Sequence, residues 1–234
     1  MCGFVQVYER LYEAYGPQGW WPLLREGPDG LKCSYEPENS IKELNYKERF
    51  EICAGAILTQ NTNWGNAERA LVSLANAGLL DAGRLSAAET GLIADCIRTS
   101  GYYNQKAKKL KNFAGFYLGN PPPDRKLFLA QWGLGPETVD DMLLYAYNQP
   151  VFVVDAYTTR LFSRLGLCDA GISYHDLQAE IMNSLEKDVL MFKEYHALIV
   201  RHAKEHCSKK PVCAGCPLAA VCPGRSEEHT SELQ

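Results

Sequence analysis

Residues 129–166 read LAQWGLGPETVDDMLLYAYNQPVFVVDAYTTRLFSRLG, and their reading decides the fold. The pattern is helix, tight turn, helix, short apolar run, helix. Gly133 and Gly135 allow a turn that residues with a Cβ would strain. Pro136 suits the first helical position, where no backbone N–H is needed. N–H groups exposed at such a helix start can grip a phosphate, and the same residues also make an ordinary connection between two helices. Residues 151–154 are apolar and β-branched, too short for a helix, and they deliver Asp155 into Ala-Tyr-Thr-Thr-Arg. A carboxylate just after a buried segment is a candidate catalytic group. Aspartate is equally a good helix N-cap, and both roles can hold together.

Outward from this stretch the helical signals recur. Ala67, Ala70, Leu71, Leu74 and Ala75 form one stripe, ended by Gly78. Ser86 and Glu89 carry a capping-box spacing. Segments 104–117, 138–147, 157–165, 174–185 and 190–206 repeat the helical period, and no sustained two-residue alternation argues for a sheet. The chain therefore reads as all-α. Residues 27–45, rich in turn formers and charge, read as a surface loop or insertion, and the triple proline at 121–123 marks a break. Lys106, Lys108, Lys109 and Lys111 form a basic run whose simplest reading is a solvated helix face.

Nearly half of the 234 residues are apolar, yet no run is long enough to span a membrane. With a net charge of −4 no broadly basic nucleic-acid surface is visible in the totals, so any such binding would rely on local clusters and backbone amides. The last ten residues, RSEEHTSELQ, resemble a translated sequencing-adapter read, so 225–234 is taken as an artefact and set outside the fold. Four of the nine cysteines crowd together as Cys207-x5-Cys213-x2-Cys216-x5-Cys222. In a chain without a signal peptide this spacing points to a metal site, either tetrahedral zinc or an iron–sulfur cluster. His202 and His206, four apart, read as solvated or phosphate-contacting rather than as ligands. Cys2, Cys33, Cys53, Cys96 and Cys168 fit reduced thiols of a cytoplasmic protein.

The order of motifs resembles the helix-hairpin-helix DNA glycosylases, the endonuclease III superfamily. The pieces are Tyr15-Gly16-Pro17-x-Gly-Trp20-Trp21-Pro22, LTQNTNW, SGYYNQKAK from Ser100, GPET, FVVDAYTTR and EYHALIVRHAKEHC. The nearest pattern is that of the endonuclease-III-type 3-methyladenine DNA glycosylases. The resemblance implies two helical domains flanking a DNA-binding cleft. One is a six-helix barrel with the helix-hairpin-helix, at 46–150. The other is a discontinuous iron–sulfur helical domain made of 1–45 and 151–224. It tips the four cysteines toward a 4Fe–4S cluster, although the first gap is one residue shorter than the family's. It also implies a monomer acting on double-stranded DNA that contains a damaged base.

The site residues follow from the same resemblance. Gly133, Leu134 and Gly135 would contact DNA, and Gln60 would fill the gap left by an extruded base, whereas its residue chemistry alone favours a helix end. Trp20, Trp21, Pro22 and Trp64 would sandwich the flipped base, with Glu137 and Lys204 at its border; by themselves the tryptophans read as core. A cationic alkylated purine would gain cation–π attraction on such rings. Lyase-active members carry a lysine where this chain has Glu137, and a carboxylate cannot form an imine. What remains is hydrolysis of the N-glycosidic bond, with Asp155 stabilising the sugar cation and positioning water. The rival readings are an endonuclease III-like glycosylase and AP lyase acting on oxidised pyrimidines, and a non-catalytic iron–sulfur DNA-binding protein. Trp132, where a proline often precedes the hairpin glycine, is a departure from the family.

Overall fold

A computed structural model describes residues 3–36 and 43–226. Part of the 27–45 insertion and residues 227–234 of the suspected artefact lie outside the described residues. The chain divides into two compact units, one made of residues 1–20 and 150–234, the other of residues 21–149.

The discontinuous unit holds α1 (Phe4–Tyr15), α9 (Ala156–Arg164), α10 (Tyr174–Ser184) and α11 (Val189–Glu205). Three of these start on a side chain that accepts from the orphan N–H groups of the first turn: Asp155, Ser173 and Asp188. The long helix α11 packs on α1 and α9. Phe4 meets Phe162 edge-on at 4.9 Å, and Tyr195 rests against Phe152 and Phe162. The Tyr195 hydroxyl, inside this apolar cluster, donates to the Phe4 carbonyl at 2.7 Å, which satisfies both groups.

The continuous unit opens with β1 (Leu23–Gly27) and β2 (Gly30–Ser34), an antiparallel hairpin in which Gly27 pairs with Gly30. Seven helices follow: α2 (Tyr46–Thr59), α3 (Trp64–Asn76), α4 (Ala82–Ala87), α5 (Thr90–Cys96), α6 (Tyr103–Tyr117), α7 (Arg125–Leu129) and α8 (Pro136–Asp141). A π-helical segment, Met142–Ala146, continues α8. Asn45 and Glu48 form a full capping box on α2. The core gathers Phe50, Phe113, Tyr117 and Phe128, all buried.

The mostly helical expectation holds, and three parts of it need correction. The expected six-helix barrel is replaced by seven helices and a two-stranded hairpin, with no closed barrel among the described residues. The cap at Ser86 is displaced: Asp81 caps α4, Ser86 lies inside that helix and bonds the Gly83 carbonyl, and Glu89 precedes α5 without a side-chain cap bond. The iron–sulfur domain is not supported, because no group of three or more His, Cys, Asp or Glu among the described residues could hold a metal ion. The thiols have other neighbours. Cys207 Sγ accepts from Arg164, Cys222 Sγ lies 3.7 Å from the Arg164 carbonyl, and Cys216 Sγ faces His202 Nε2 at 3.8 Å. The 4Fe–4S expectation for Cys207, Cys213, Cys216 and Cys222 is therefore withdrawn, and zinc with it. His202, expected in solvent, is 1% exposed, with Nδ1 against the Tyr15 hydroxyl. No helix among the described residues is long and apolar enough to cross a membrane.

Candidate active site

In the continuous unit the chemistry gathers around the turn between α7 and α8. Gly133 has φ +84°, a conformation open to glycine at little cost. Its α-carbon is also approached closely: an added Cβ would stand 2.6–2.9 Å from three side-chain carbons of Lys109. Lys109 lies along the turn and donates to Gln60 Oε1 at 2.6 Å. The Gln60 amide then donates to the Gly133 carbonyl at 3.3 Å and to Thr138 Oγ1 at 2.9 Å. Gln60 thus ends α2 and fastens that helix end to the turn. Two more charged groups hold the turn from behind. Arg125, at the start of α7, bonds both oxygens of fully buried Asp140 in α8 at 2.7 and 2.9 Å. Leu134 is buried, Glu137 is exposed in the first turn of α8, and Trp132 is 55% exposed.

The lysine run is mostly not a solvated face. Lys106 is 2% exposed, and its ammonium donates to the Leu58 and Ser100 carbonyls at 2.7 Å each, closing the end of α2. Burial pushes its pKa down to about 8 and lowers that of Lys109 as well. Lys111 bonds the Ala88 carbonyl, which leaves Lys108 as the exposed member.

The aromatic residues of the same unit lie together. Trp21 meets Trp64 edge-to-face at 5.3 Å and Tyr145, on the π segment, at 5.4 Å. Gly55 makes room for Trp21, since a Cβ there would sit 3.0 Å from the indole. In this arrangement the two indoles touch each other, with no slot for a planar base between them. Pro22 beside them is buried. Tyr35 lies just after β2 and is exposed. Below it, the Cys33 N–H donates to Glu68, and the Leu24 N–H donates to Glu51 at 2.6 Å. Burial raises Glu51 to about 7.

In the discontinuous unit, Trp20 is half-buried and Lys204 is exposed in the last turn of α11. Asp155 is the N-cap of α9. Buried Phe152, Val153 and Val154 fix its approach, with Gln178 donating to the Phe152 carbonyl at 2.6 Å. Its Oδ1 accepts from the Thr158 N–H at 2.7 Å and from the Thr158 hydroxyl at 2.8 Å. Its Oδ2 lies 3.8 Å from His196 Nε2. Burial works to raise its pKa, but His196 and the two Thr158 donors outweigh burial and hold the carboxyl below the ordinary carboxylate value. A carboxylate kept ionised in a partly enclosed place can stabilise a neighbouring positive charge.

Thr138, Thr158 and His196 were not singled out by sequence reasoning, and Lys109 was read only as one member of a solvated basic face. Their partners are distant in the chain or, for Thr158, one turn away. Only the Asp29-Gly30 turn gave a local signal, for the hairpin.

Known proteins resemble this chain over most of its length. Residues 54–187 match the model of the HhH-GPD superfamily of base excision DNA repair proteins. The chain is 36% identical to the "Putative DNA repair glycosylase" of Methanocaldococcus jannaschii, over 93% of this chain and 94% of that protein. It is 29% identical to endonuclease III of Sulfolobus acidocaldarius, over 74% and 81%. A crystal structure of H. pylori 3-methyladenine DNA glycosylase bound to 1,N6-ethenoadenine is similar with TM-score 0.58 and 27% identity, covering 71% of this chain and 92% of that one.

Proposed function

Because the chain belongs to the HhH-GPD superfamily of base excision DNA repair proteins, we propose that it is a monofunctional DNA N-glycosylase that releases an alkylated, 3-methyladenine-like base. The observation that carries this reading is Asp155, ionised and fixed by its cap bonds. In the proposed reaction the damaged base leaves with the electrons of the N-glycosidic bond. The sugar carries the resulting positive charge opposite Asp155, and water adds to C1′ as its proton passes to the carboxylate or to solvent. A base that is already cationic leaves as a neutral molecule, so no strong acid is required.

The Gly133–Leu134–Gly135 turn would meet the DNA backbone, with Gln60 held beside it to enter the stack. Within the continuous unit Trp21, Pro22 and Trp64 would line the base pocket, which requires the Trp21–Trp64 contact to open as the base enters. Glu137, in place of a lysine, supports hydrolysis without Schiff-base strand cleavage. Similarity to a 3-methyladenine DNA glycosylase supports the alkylated substrate.

A second reading, a lyase acting on oxidised pyrimidines, is favoured by similarity to endonuclease III and by one amine, Lys109, lying along the turn with its pKa lowered. The test measures base release and strand breakage separately on duplexes carrying 3-methyladenine or an oxidised pyrimidine, for the wild type and Asp155→Asn. Release of the alkylated base alone, lost in Asp155→Asn with affinity kept, is the expected result. Breakage with a borohydride-trapped adduct that disappears in Lys109→Met would favour the second reading. Unchanged release by Asp155→Asn would remove Asp155 from the reaction.

A further inference from the structure

Asp155 uses its two oxygens differently. Oδ1 takes both Thr158 donors and is spent on starting α9. Oδ2 has no part in the cap and lies 3.8 Å from Nε2 of His196, in the middle of α11. That separation is longer than a direct hydrogen bond and short enough for charge attraction whenever the imidazole is protonated, in a place where His196 is 7% exposed. The ring atom nearest this carboxylate oxygen is a nitrogen, able to donate or to carry charge toward it.

The other ionisable groups nearby have their own places. On α11 itself, Lys193 lies one turn earlier and is buried, and Glu194 accepts from the Gln18 and Gly19 N–H groups. From the α9 side the facing groups are Asp155 and Thr158. From α1, Tyr8 stands beside Tyr195, at 5.3 Å between rings, and Tyr15 bonds His202 two turns further along α11.

We propose that His196 is a positioning residue for the glycosylase reaction: its Nε2 faces Asp155 Oδ2, keeps that carboxylate ionised and holds the oxygen not used by the cap in one orientation. The proposal rests on the reading of Asp155 as the group that stabilises the sugar cation. The direction of the Asp155 shift agrees with it, since His196 is the largest influence acting against burial.

The linkage has a definite sign. A carboxyl held below its ordinary value stays ionised, and the enzyme active, as pH falls past the range where free aspartate would protonate. Without His196 the burial effect meets only Thr158, and the acid limb of the rate moves upward.

The experiment is single-turnover base release from a duplex carrying an alkylated adenine, between pH 4 and pH 9. It compares the wild type, His196→Leu, His196→Gln and Asp155→Asn, with folding followed by circular dichroism. In His196→Leu the acid limb is expected to rise by about one pH unit or more. This appears as a loss of roughly four- to fivefold near pH 4 beside near-normal release at pH 8. His196→Gln, which keeps a neutral N–H donor, should fall between. If His196→Leu does not fold, the comparison of His196→Gln with the wild type decides. An equal loss at every pH, or an unmoved limb in the folded variants, overturns the positioning role while leaving the glycosylase reading intact. Full release by Asp155→Asn overturns both.

Discussion

Replacing Gly133 with alanine tests the turn and its lysine together. The first cost is backbone: φ +84° strains any residue with a Cβ, at about 1–2 kcal/mol. The second is displacement. A methyl group 2.6 Å from Lys109 Cε and 2.7 Å from its Cγ cannot coexist with the present lysine conformation. Moving the lysine breaks its 2.6 Å bond to Gln60, a charge-assisted contact worth about 1.5–3 kcal/mol when buried and nearer 1 kcal/mol for this half-buried one. The sum is about 2–3 kcal/mol, or roughly 1 M in urea midpoint for a typical slope. Three of the four tryptophans, Trp21, Trp64 and Trp132, belong to residues 21–149, so fluorescence of a Trp20→Phe background reports this unit. The double-mutant cycle supplies the sharper reading. In a Lys109→Ala background the clash is gone, and Gly133→Ala should cost only the backbone part, about 1–2 kcal/mol. Equal costs in the two backgrounds would refute the close approach of Lys109 to the turn, and no cost in either would refute the turn conformation itself.

Three further outcomes are expected. Asp140→Ala should destabilise the same unit by about 3–5 kcal/mol, because it leaves the Arg125 guanidinium without its carboxylate, and DNA affinity should fall as the helix pair loosens; urea melts and a filter-binding titration check both. Glu51, raised to about 7, contributes stability that is complete below its unfolded pKa and is lost as pH rises through 7; Glu51→Gln should flatten the melting temperature between pH 5 and pH 8 and exceed the wild type at pH 8. Gly55→Ala should push the Trp21 indole from its place, change its fluorescence and raise KM for base release several-fold, with a smaller effect on kcat.

What the sequence made legible were features written in adjacent residues. Asp155 as an N-cap, Pro136 at the start of α8 and the glycine at Gly133 each follow from local backbone needs, and each is found in that role. The lysine run misled because charge alone does not tell a solvated amine from one that reaches carbonyls far away in the chain. Lys106 bonds Leu58, 48 residues earlier, and Lys109 bonds Gln60, 49 residues earlier. His196 escaped notice for a similar reason, since a histidine inside an apolar helix looks like packing until Asp155 is placed against it. The hairpin was hidden in the opposite way. Residues 23–34 carry an Asp-Gly turn, but their charge and glycine content weighed toward a loop. The cysteine spacing carried the strongest pattern in the chain and gave the expectation most in need of correction, because spacing records order along the chain and not where each sulfur finds its neighbours.

The division of the chain also sets an order of events during synthesis. Residues 21–149 are one continuous run and hold all the strands and helices of their unit. They can close as soon as they leave the ribosome. The first helix cannot, because the Phe4 carbonyl meets a hydroxyl 191 residues later and Tyr15 meets His202 across 187. At about 5–20 residues per second, the chain from 150 to the end of α11 takes several seconds more to appear. Through that interval Phe4, Val7 and Leu11 present an apolar stripe with no helix to receive it. Helix α1 waits for α11, and that interval is when a chaperone has most to offer the chain.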